Sequence, residues 1–376
     1  MRVLHVIDSL FQAGAEELVK DMLPRMRARG SDPFVAVLKV LNNPLERELR
    51  AQGIPFLSTA AGGMYSPMHI LNLALHVRKF DLIQTHLFPA QLFTPLAAML
   101  ARSTVPIVSS EHNTHHRRRK KWLHPLETWM YDHYAAVACP SEAIAVSLRK
   151  WIPGIGRKIS VIPNGINLGV FQRAMPASRA SIGIGDGACI LLYVANFQTR
   201  KDHGTLLRAM TKIPDAHLVL VGDGDLRANF EAQTKSLGLT QRVHFLGHRN
   251  DVPQLLKMAD IYVHPPAYEG FGIAVAEAMA AGKPIVATDV PGLAQVIGDA
   301  GIIVPPKDPS ALAVEVCRLM NSRERRAQLS CAALQRSQQF SIEKTVDGYL
   351  DLYKSILSRS QEVLSNADIR SKATTN

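Results

Sequence analysis

Short runs of apolar residues recur along this chain, and each is followed by a segment whose apolar spacing is typical of a helix. The first half contains the runs RVLHVI, PFVAVLKV, DLIQTH, TVPIVSS, AAVACP and ISVIP, and the second half contains ACILLYVA, HLVLVG, RVHFLG, IYVHPP, PIVATD and GIIVPP. Continuous β-prone runs of this length are typical of strands that are buried on both faces of a parallel sheet. Two sets of such runs therefore predict two doubly wound α/β domains of the Rossmann kind.

A stretch rich in Gly, Ser, Ala and Pro, INLGVFQRAMPASRASIGIGDGA, separates the two sets and predicts a linker near residues 165–185. We therefore predict an N-terminal domain at residues 1–167 and a second domain at residues 168–344. A helix at about 345–358 has apolar residues along one face, and we expect it to pack back on the N-terminal domain. The remaining residues, 359–376, are polar and are expected to form a frayed tail.

Most of the net charge of +11 lies in the first half, because residues 1–170 contain 20 Lys and Arg against 12 Asp and Glu. A basic half indicates an anionic partner: nucleic acid, an anionic membrane face or a phosphorylated small molecule. The four scattered cysteines argue for a reducing cytoplasm and against zinc knuckles. No apolar run reaches the length of a membrane-spanning helix, and the start MRVLHVIDSL predicts a buried strand rather than a signal peptide.

One stretch after the strand IYVHPP combines glycines with two acids, YEGFGIAVAEAMAAGKPIV at residues 268–286. Ligands of doubly wound sheets bind beyond the carboxyl ends of the strands, so this stretch should lie at a binding crevice. Gly270 and Gly272 allow close approach of the backbone, and a helix that begins near Ile273 would direct free N–H groups at an anion. Glu269 and Glu277 can accept hydrogen bonds from hydroxyls. The combination predicts a nucleotide sugar as ligand, whereas local capping by Glu277 and a simple glycine turn remain the alternative.

The same stretch, with its two glutamates separated by seven residues, resembles the signature of the retaining glycosyltransferases of family four, which have the GT-B fold. Further similar segments follow in the family's order: VIPNGINLGVF (with Asn167 where Asp is usual), LVLVGDGDLR, VHFLGHRNDVPQLLKMADIYVHPP, GIIVPPKDPSALA and FSIEKTVDGYLDLY. The resemblance covers nearly the whole chain and is strongest from residue 159 to residue 310. It implies two Rossmann-like domains that face each other across a cleft. It also implies transfer of a sugar from a nucleotide diphosphate with retention of anomeric configuration.

By residue, the resemblance implies that Glu277 holds the donor ribose and that Glu269 holds hydroxyls of the donor sugar. The amides of Phe271, Gly272 and Ile273 would face the sugar and the phosphates. Such enzymes use the nucleotide sugar as co-substrate and need no metal, because fixed positive groups stabilise the leaving diphosphate.

Lys201 matches the phosphate-binding lysine of the family, but Asn196 stands where the family has an arginine. That departure removes a positive charge. Either Arg200 compensates for it, or diphosphate binding depends more on the helix end.

In the first half, His112 resembles the family histidine that reaches toward the donor sugar. A zinc site at His112, His115 and His116 is an alternative, but no acid or cysteine set accompanies these histidines. Gly14 is expected to make the tight turn into the first helix, although the family's preceding glycine is an alanine here. His86 follows a strand and is predicted to contact the acceptor.

A basic run beside Trp122 consists of Arg117, Arg118, Arg119, Lys120 and Lys121. Such a run is most often a solvated face, but it can also bind a pyrophosphate-lipid acceptor or an anionic membrane surface. Nucleic acid is disfavoured because the chain contains no recognition motif. We predict contact with the acceptor or the membrane.

Together these features predict a metal-independent retaining hexosyltransferase in the cytoplasm, at the inner face of the membrane. It would extend a cell-surface polysaccharide, a lipopolysaccharide or a lipid-linked glycan, with a UDP-sugar favoured over a GDP-sugar by the breadth of the family. The alternatives are a nucleotide-sugar epimerase of the same architecture, and a basic peripheral membrane or nucleic-acid-binding protein with a degenerate site. A dinucleotide dehydrogenase is disfavoured, because no strand is followed by G-x-G-x-x-G opening a helix.

Overall fold

The computed structural model of the protein describes residues 1–11, 14–59, 62–112 and 118–373, with the backbone alone for Ser58 and residues 360–373. The chain forms two compact units. The first contains Met1–Asn164 together with the C-terminal helix that begins at Ile342, and the second contains Gly165–Ser341.

The first unit is built on a parallel sheet of seven strands within its described residues. These strands are β1 Arg2–Ile7, β2 Asp32–Val37, β3 Phe56–Ser58, β4 Leu82–His86, β5 Ile107–Ser110, β6 Ala136–Cys139 and β7 Ile159–Val161. Their order across the sheet is β3-β2-β1-β4-β5-β6-β7. β1 has parallel neighbours on both sides, with Val6 opposite Ala36 of β2 and Thr85 of β4.

Helices cover both faces of this sheet, which explains why its strands are apolar throughout. The helices are α1 Gly14–Ala28, α2 Pro44–Ala51, α3 Met68–Ala74, α4 Ala90–Leu100, α5 His124–Asp132 and α6 Glu142–Trp151, with short 3-10 helices at Val77–Lys79, Lys121–Leu123 and Ile155–Lys158. Residues of α1 and α2 form one core against the sheet, and residues of α3 to α6 form another on the opposite face.

The C-terminal helix, Ile342–Ala373, completes the first of these cores. Val346, Tyr349 and Tyr353 are buried in it. The hydroxyl of Tyr353 donates a hydrogen bond to Gln84 Oε1 at 2.9 Å, and the hydroxyl of Tyr349 lies 3.0 Å from the Oγ of Ser110. The helix continues through Ala373, so the segment expected to be a frayed tail is helical as far as that residue.

The second unit is built on a parallel sheet of six strands, counted over its described residues. The strands are β8 Cys189–Val194, β9 Ala216–Val221, β10 Val243–Phe245, β11 Ile261–His264, β12 Ile285–Thr288 and β13 Ile302–Val304. Their order is β10-β9-β8-β11-β12-β13, so β8 and β11 are neighbours although three helices and two strands separate them along the chain.

Helices again lie on both faces of this sheet, in two separate apolar cores. They are α7 Leu168–Arg173, α8 His203–Met210, α9 Arg227–Ser236, α10 Val252–Met258, α11 Ile273–Ala280, α12 Pro291–Ile297, α13 Pro309–Met320 and α14 Arg323–Ser337, and the C-terminal helix of the first unit is numbered α15. Short 3-10 helices lie at Arg179–Ile182, Thr199–Lys201, Gly298–Ala300 and Gln338–Phe340. The prediction of two doubly wound parallel sheets is confirmed. In the part of the chain that is described, none of the helices has the length and hydrophobicity that crossing a bilayer requires.

Candidate active site

The adjacency of β8 and β11 brings two predicted site residues together at the carboxyl edge of the second sheet. Lys201 ends the 3-10 helix that follows β8, and Glu269 lies in the loop that follows β11. The Nζ of Lys201 lies 2.5 Å from Oε2 of Glu269. Only 13% of the lysine side chain and 10% of the glutamate side chain are exposed, so the pair is largely shielded from water. Shielding strengthens the attraction between the two charges.

A third residue, which the sequence did not single out, completes this cluster. His264, the last residue of β11, places Nε2 3.4 Å from Oε2 of Glu269, and its Nδ1 lies 3.2 Å from the hydroxyl of Tyr262. A carboxylate only accepts hydrogen bonds, so Nε2 donates to Glu269 and Nδ1 accepts the Tyr262 proton. Burial lowers the pKa of His264, which agrees with a neutral ring. The only sequence signal was a histidine at the end of an otherwise apolar strand.

The charge state of Glu269 follows from these contacts. Burial opposes ionisation of its carboxyl, but the ammonium of Lys201 and the hydrogen bond from His264 together hold its pKa well below the ordinary value. Glu269 is therefore a carboxylate at neutral pH, with Oε2 occupied by Lys201 and His264. Its other oxygen, Oε1, accepts a hydrogen bond of 3.2 Å from the amide of Gly270.

Two glycines fix the path of the backbone between Glu269 and α11. Gly272 has φ of +89°, and a Cβ there would lie 2.7 Å from Cδ1 of Leu293. Gly292, in the first turn of α12, approaches the loop so closely that a Cβ would lie 2.3 Å from the carbonyl oxygen of Gly270. The loop and α12 can pack this closely only because Gly292 has no side chain. Phe271 is buried, with its ring edge-on to Phe340, so the ring is packed inside the unit.

The two loops that carry Lys201 and Glu269 are also joined to each other and to the sheet. The amide of Ala267 donates to the carbonyl of Arg200 at 2.8 Å, and the hydroxyl of Tyr193 in β8 donates to the carbonyl of Lys201 at 2.6 Å. Thr288, at the end of β12, donates to the carbonyl of Pro266 at 2.7 Å. Three neighbouring strands thus hold the ion pair in place, which is the rigid support that a binding site needs.

Glu277 lies one turn after Ile273 on α11 and is half-buried. Burial raises the pKa of Tyr262 well above its ordinary value, and the carboxylate of Glu277 adds to this effect. The first amides of α11 have no partner within the helix and carry its positive dipole end. Helix α11 therefore carries both a carboxylate that can accept hydrogen bonds from hydroxyls and an N-terminus that can bind an anion.

The Asn196 loop, directly after β8, packs against the loop that follows β9. A Cβ at Gly222 would lie 2.3 Å from the carbonyl oxygen of Ala195, and one at Gly224 would lie 2.8 Å from the carbonyl oxygen of Phe197. Asn196 is half-buried between these contacts. Arg200, by contrast, is exposed and donates from Nε to Gln198 at 3.0 Å.

Three predicted residues lie in the first unit. Gly14 is the first residue of α1. His112 is half-buried, and its ring centroid lies 6.2 Å from that of His86 in a stacked arrangement. His86 itself is 1% exposed, and its Nε2 lies 3.2 Å from Nδ1 of His5. His86 therefore presents almost no surface to an acceptor, which disagrees with the predicted direct contact. Its position behind His112 indicates a supporting role instead.

The basic run does not form one exposed surface. Arg118 is 14% exposed, its Nε lies 3.2 Å from Oε1 of buried Glu127, and its guanidinium lies 4.3 Å from the ring centroid of Phe88. Arg119 donates from Nη1 to the hydroxyl of Ser147 at 2.6 Å. Among the residues described here, Lys120, Lys121 and Trp122 are exposed, the last with 73% of its surface open to water.

Three residues named above, Arg117, His115 and His116, lie outside the described residues. Among the residues that are described, no group of three or more His, Cys, Asp or Glu side chains is arranged to hold a metal ion.

Comparisons with known proteins identify the family of this chain. Residues 13–170 match the family model Glycosyltransferase Family 4, and residues 175–336 match the model Glycosyl transferases group 1. An uncharacterized glycosyltransferase of Methanocaldococcus jannaschii is 33% identical over 271 residues, which cover 66% of this chain and 68% of that protein. The lipopolysaccharide core biosynthesis glycosyltransferase LpsD of Rhizobium meliloti is 30% identical over 237 residues, which cover 61% of this chain and 66% of that protein.

Among solved structures, Anabaena HepE in complex with UDP and glucose is similar with a TM-score of 0.80 at 22% identity, over 97% of this chain and 100% of that chain. This similarity identifies the two parallel α/β sheets as the GT-B fold. The family models cover both units, and the M. jannaschii relative is matched over two thirds of its length. The chain therefore belongs to glycosyltransferase family 4, the retaining enzymes of GT-B fold that transfer a sugar from a nucleotide sugar.

Proposed function

We propose that this chain is a retaining hexosyltransferase that takes its sugar from a UDP-sugar and extends a cell-surface or lipid-linked glycan. The observation that carries the proposal is the shielded Lys201–Glu269 pair beside the N-terminus of α11. HepE was crystallised with UDP and with UDP-glucose, which supports UDP as the nucleotide. The name of LpsD supports a product at the cell surface.

In this proposal the second unit binds the donor. Lys201 neutralises the diphosphate, and the amides of Phe271, Gly272 and Ile273 bind its oxygens together with the helix dipole. The carboxylate of Glu269 accepts hydrogen bonds from the sugar hydroxyls, and that of Glu277 accepts them from the ribose. Asn196 and Arg200 belong to the same loop, and diphosphate binding depends more on the helix end because Asn196 carries no charge.

The transfer step proceeds on one face of the sugar. The bond between the anomeric carbon and the diphosphate oxygen breaks, and the acceptor oxygen attacks from the side that the diphosphate leaves. The acceptor proton passes to the departing diphosphate oxygen, so no protein base is required. The protein contributes orientation and a fixed positive charge where negative charge develops. Since Lys201 is already held by Glu269, it need not reorganise when the diphosphate leaves.

The first unit supplies the acceptor side in this proposal. His112 contacts the donor sugar, His86 and His5 support its ring from behind, and Gly14 allows the chain to turn into α1 beside the acceptor. The imidazole of His5 is expected to be neutral, because burial lowers its pKa to about 3. Such a ring can orient a neighbour without adding a charge.

Association with an anionic membrane would bring the chain to a lipid-linked acceptor. Lys120 and Lys121 are exposed next to Trp122, and this combination of cations and an aromatic ring is typical of membrane-surface contacts. We propose that these three residues, and not the half-buried Arg118, make the contact.

The direct test is ligand binding followed by turnover. UDP is expected to raise the melting temperature more than GDP, and UDP-sugars are expected to label an added glycan acceptor. NMR of the reaction without acceptor separates the alternatives, because an epimerase would convert the nucleotide sugar alone. Absence of a thermal shift with either nucleotide, together with absence of transfer, would contradict the proposal.

A further inference from the structure

An open cavity of about 460 Å³ lies in the second unit beside the Lys201–Glu269 pair. Small-molecule sites span roughly 300–1,000 Å³, so this volume can hold a sugar or a sugar phosphate. Its charged and polar lining comes from the Lys201 loop, α8, the Glu269 loop and the turn before α13. It includes Arg200, Arg208, Lys307, Asp202, Thr205 and Tyr268.

The cations of this lining are not neutralised by its carboxylate, that of Asp202. The carboxylate of Asp202 is used to begin α8: one oxygen accepts the amide of Thr205 at 3.2 Å and the other accepts its hydroxyl at 2.7 Å. Arg208 donates from Nη2 to the hydroxyl oxygen of Thr205 at 3.0 Å. Within the described residues, Arg200, Arg208 and Lys307 form no ion pair with a carboxylate. Three cations against one engaged acid leave the cavity positively charged.

The cavity is adjacent to the ion pair along two segments of chain. Arg200 immediately precedes Lys201, and Tyr268 immediately precedes Glu269. Consecutive Cα atoms are about 3.8 Å apart. Lys201 and Glu269 are not among the lining residues, so the cavity is a neighbouring compartment and not the space around the pair itself.

We propose that this cavity binds a phosphate or carboxylate group carried by one of the two substrates. The inference rests on the proposed function. It restricts that function to reactions in which the acceptor or the donor sugar carries an anionic group. The guanidinium groups of Arg200 and Arg208 present paired N–H donors that match the oxygens of phosphate and carboxylate, and Lys307 adds a point charge. The anion belongs either to a phosphorylated acceptor or to a uronic acid on the donor. Both sources share this chemistry.

The test uses the full-length chain and two double variants. R208Q/K307Q removes two cations of the cavity, whereas K235Q/R325Q removes the same charge from exposed positions elsewhere in the second unit. Circular dichroism confirms that both are folded. Calorimetric titration with inorganic phosphate, alone and with saturating UDP, then compares them with the wild type.

Phosphate is expected to bind the wild type and K235Q/R325Q with UDP present, and to bind R208Q/K307Q about tenfold more weakly or worse. UDP affinity should be the same in all three proteins. Equal phosphate affinity in the two variants, or no phosphate binding by the wild type, would overturn the proposal. So would a parallel loss of UDP affinity in R208Q/K307Q, because the cations would then serve the diphosphate.

A second arm distinguishes the sources of the anion. If the anion belongs to the donor, UDP-glucuronate binds the wild type more tightly than UDP-glucose, competes with phosphate, and loses this preference in R208Q/K307Q. If it belongs to the acceptor, UDP-glucuronate binds no more tightly than UDP-glucose, and phosphate binds equally well with either of them present. The experiment distinguishes failure of the proposed function from failure of this inference. Phosphate binding with no response to UDP or GDP contradicts the proposed function alone. Nucleotide binding without phosphate binding contradicts the anion site alone.

Discussion

The ammonium of Lys201 and the carboxylate of Glu269 form an ion pair of 2.5 Å across two loops that are 68 residues apart in the chain. The pair is largely shielded from water, with 13% of the lysine side chain and 10% of the glutamate side chain exposed. Low exposure strengthens the interaction of its charges with each other.

Removing either partner should abolish most transfer activity. We expect E269Q and K201M each to lower kcat/KM by about 100-fold or more, since each loses a group that binds or stabilises the reacting centre. K201M should also be less stable by about 3 kcal/mol, because it leaves a buried carboxylate without its cation. Transfer kinetics and urea unfolding provide the two measurements.

A half-buried lysine outside the site, Lys283, serves as the control for K201M. Lys283 donates to the carbonyls of Lys257 and Ala259 at 2.9 and 2.7 Å. K283M should lose stability but retain turnover at temperatures where it is folded. Comparable activity losses in both variants would indicate that K201M acts through folding alone.

The ion pair also predicts a dependence of stability on pH. The pKa of Glu269 in the folded chain lies well below 4.5, its ordinary value. Its contribution to stability is therefore complete above pH 4.5 and is lost as the pH falls toward the folded-state pKa. Between about pH 5 and pH 2, the free energy of unfolding should fall more steeply for the wild type than for E269Q. Urea denaturation at a series of pH values measures both slopes, and parallel curves would contradict the assignment.

Glu277 should affect donor binding more than chemistry. The ribose is remote from the breaking bond, so its hydrogen bonds contribute equally to the ground state and the transition state. We expect E277Q to raise the KM for the donor about tenfold and to leave kcat within a few-fold of the wild type. E324Q, at an exposed acid on α14, should match the wild type. A large fall in kcat with unchanged KM would rule out the ribose role.

Substitution of Gly292 tests whether transfer activity depends on the geometry of the Glu269 loop. A methyl group there would overlap the carbonyl of Gly270, so G292A should displace the Glu269 loop and lower activity without removing any ligand contact. The overlap should also reduce stability by about 1–3 kcal/mol. G187A is the matched control, because a Cβ at Gly187 meets no atom within 4 Å. Full activity of G292A would show that the loop adapts.

Membrane contact is expected to depend on three exposed residues. K120Q/K121Q/W122A should bind vesicles containing phosphatidylserine more weakly, with each lysine contributing about 1 kcal/mol. K150Q/K344Q removes two exposed cations from the same unit and serves as the control. Vesicle sedimentation at low and moderate salt measures the difference. Equal binding of both variants would refute the contact.

The sequence predicted the strands well because buried parallel strands are continuous apolar runs that need no further context. The contact between Lys201 and Glu269 was harder to predict from the sequence. Each residue could be assigned from the family resemblance, but their contact depends on β8 lying next to β11, which is a property of strand order and not of local pattern. His264 was missed for a related reason, because a histidine at a strand end has no local signal until its neighbours are known.

Other differences arise where a local pattern has more than one physical outcome. The sequence places Arg118 in a basic run, but its guanidinium pairs with the buried carboxylate of Glu127 in α5. His86 follows a strand, as a ligand contact would, but His5 on the neighbouring strand β1 pairs with it. The polar segment after residue 358 is expected to fray, whereas α15 continues as far as Ala373. In each case a residue distant in sequence, or the continuation of an element, decided the outcome.

The position of α15 affects how the chain can acquire its structure during synthesis. Residues 165–341 are contiguous, so the second sheet and its helices can emerge from the ribosome and fold in one piece. The first sheet cannot bury the face beneath Tyr349 and Tyr353 until α15 has been synthesised, after the whole second unit. The unit whose synthesis begins before the other is therefore completed after it, and its incomplete apolar face is where a chaperone would be needed.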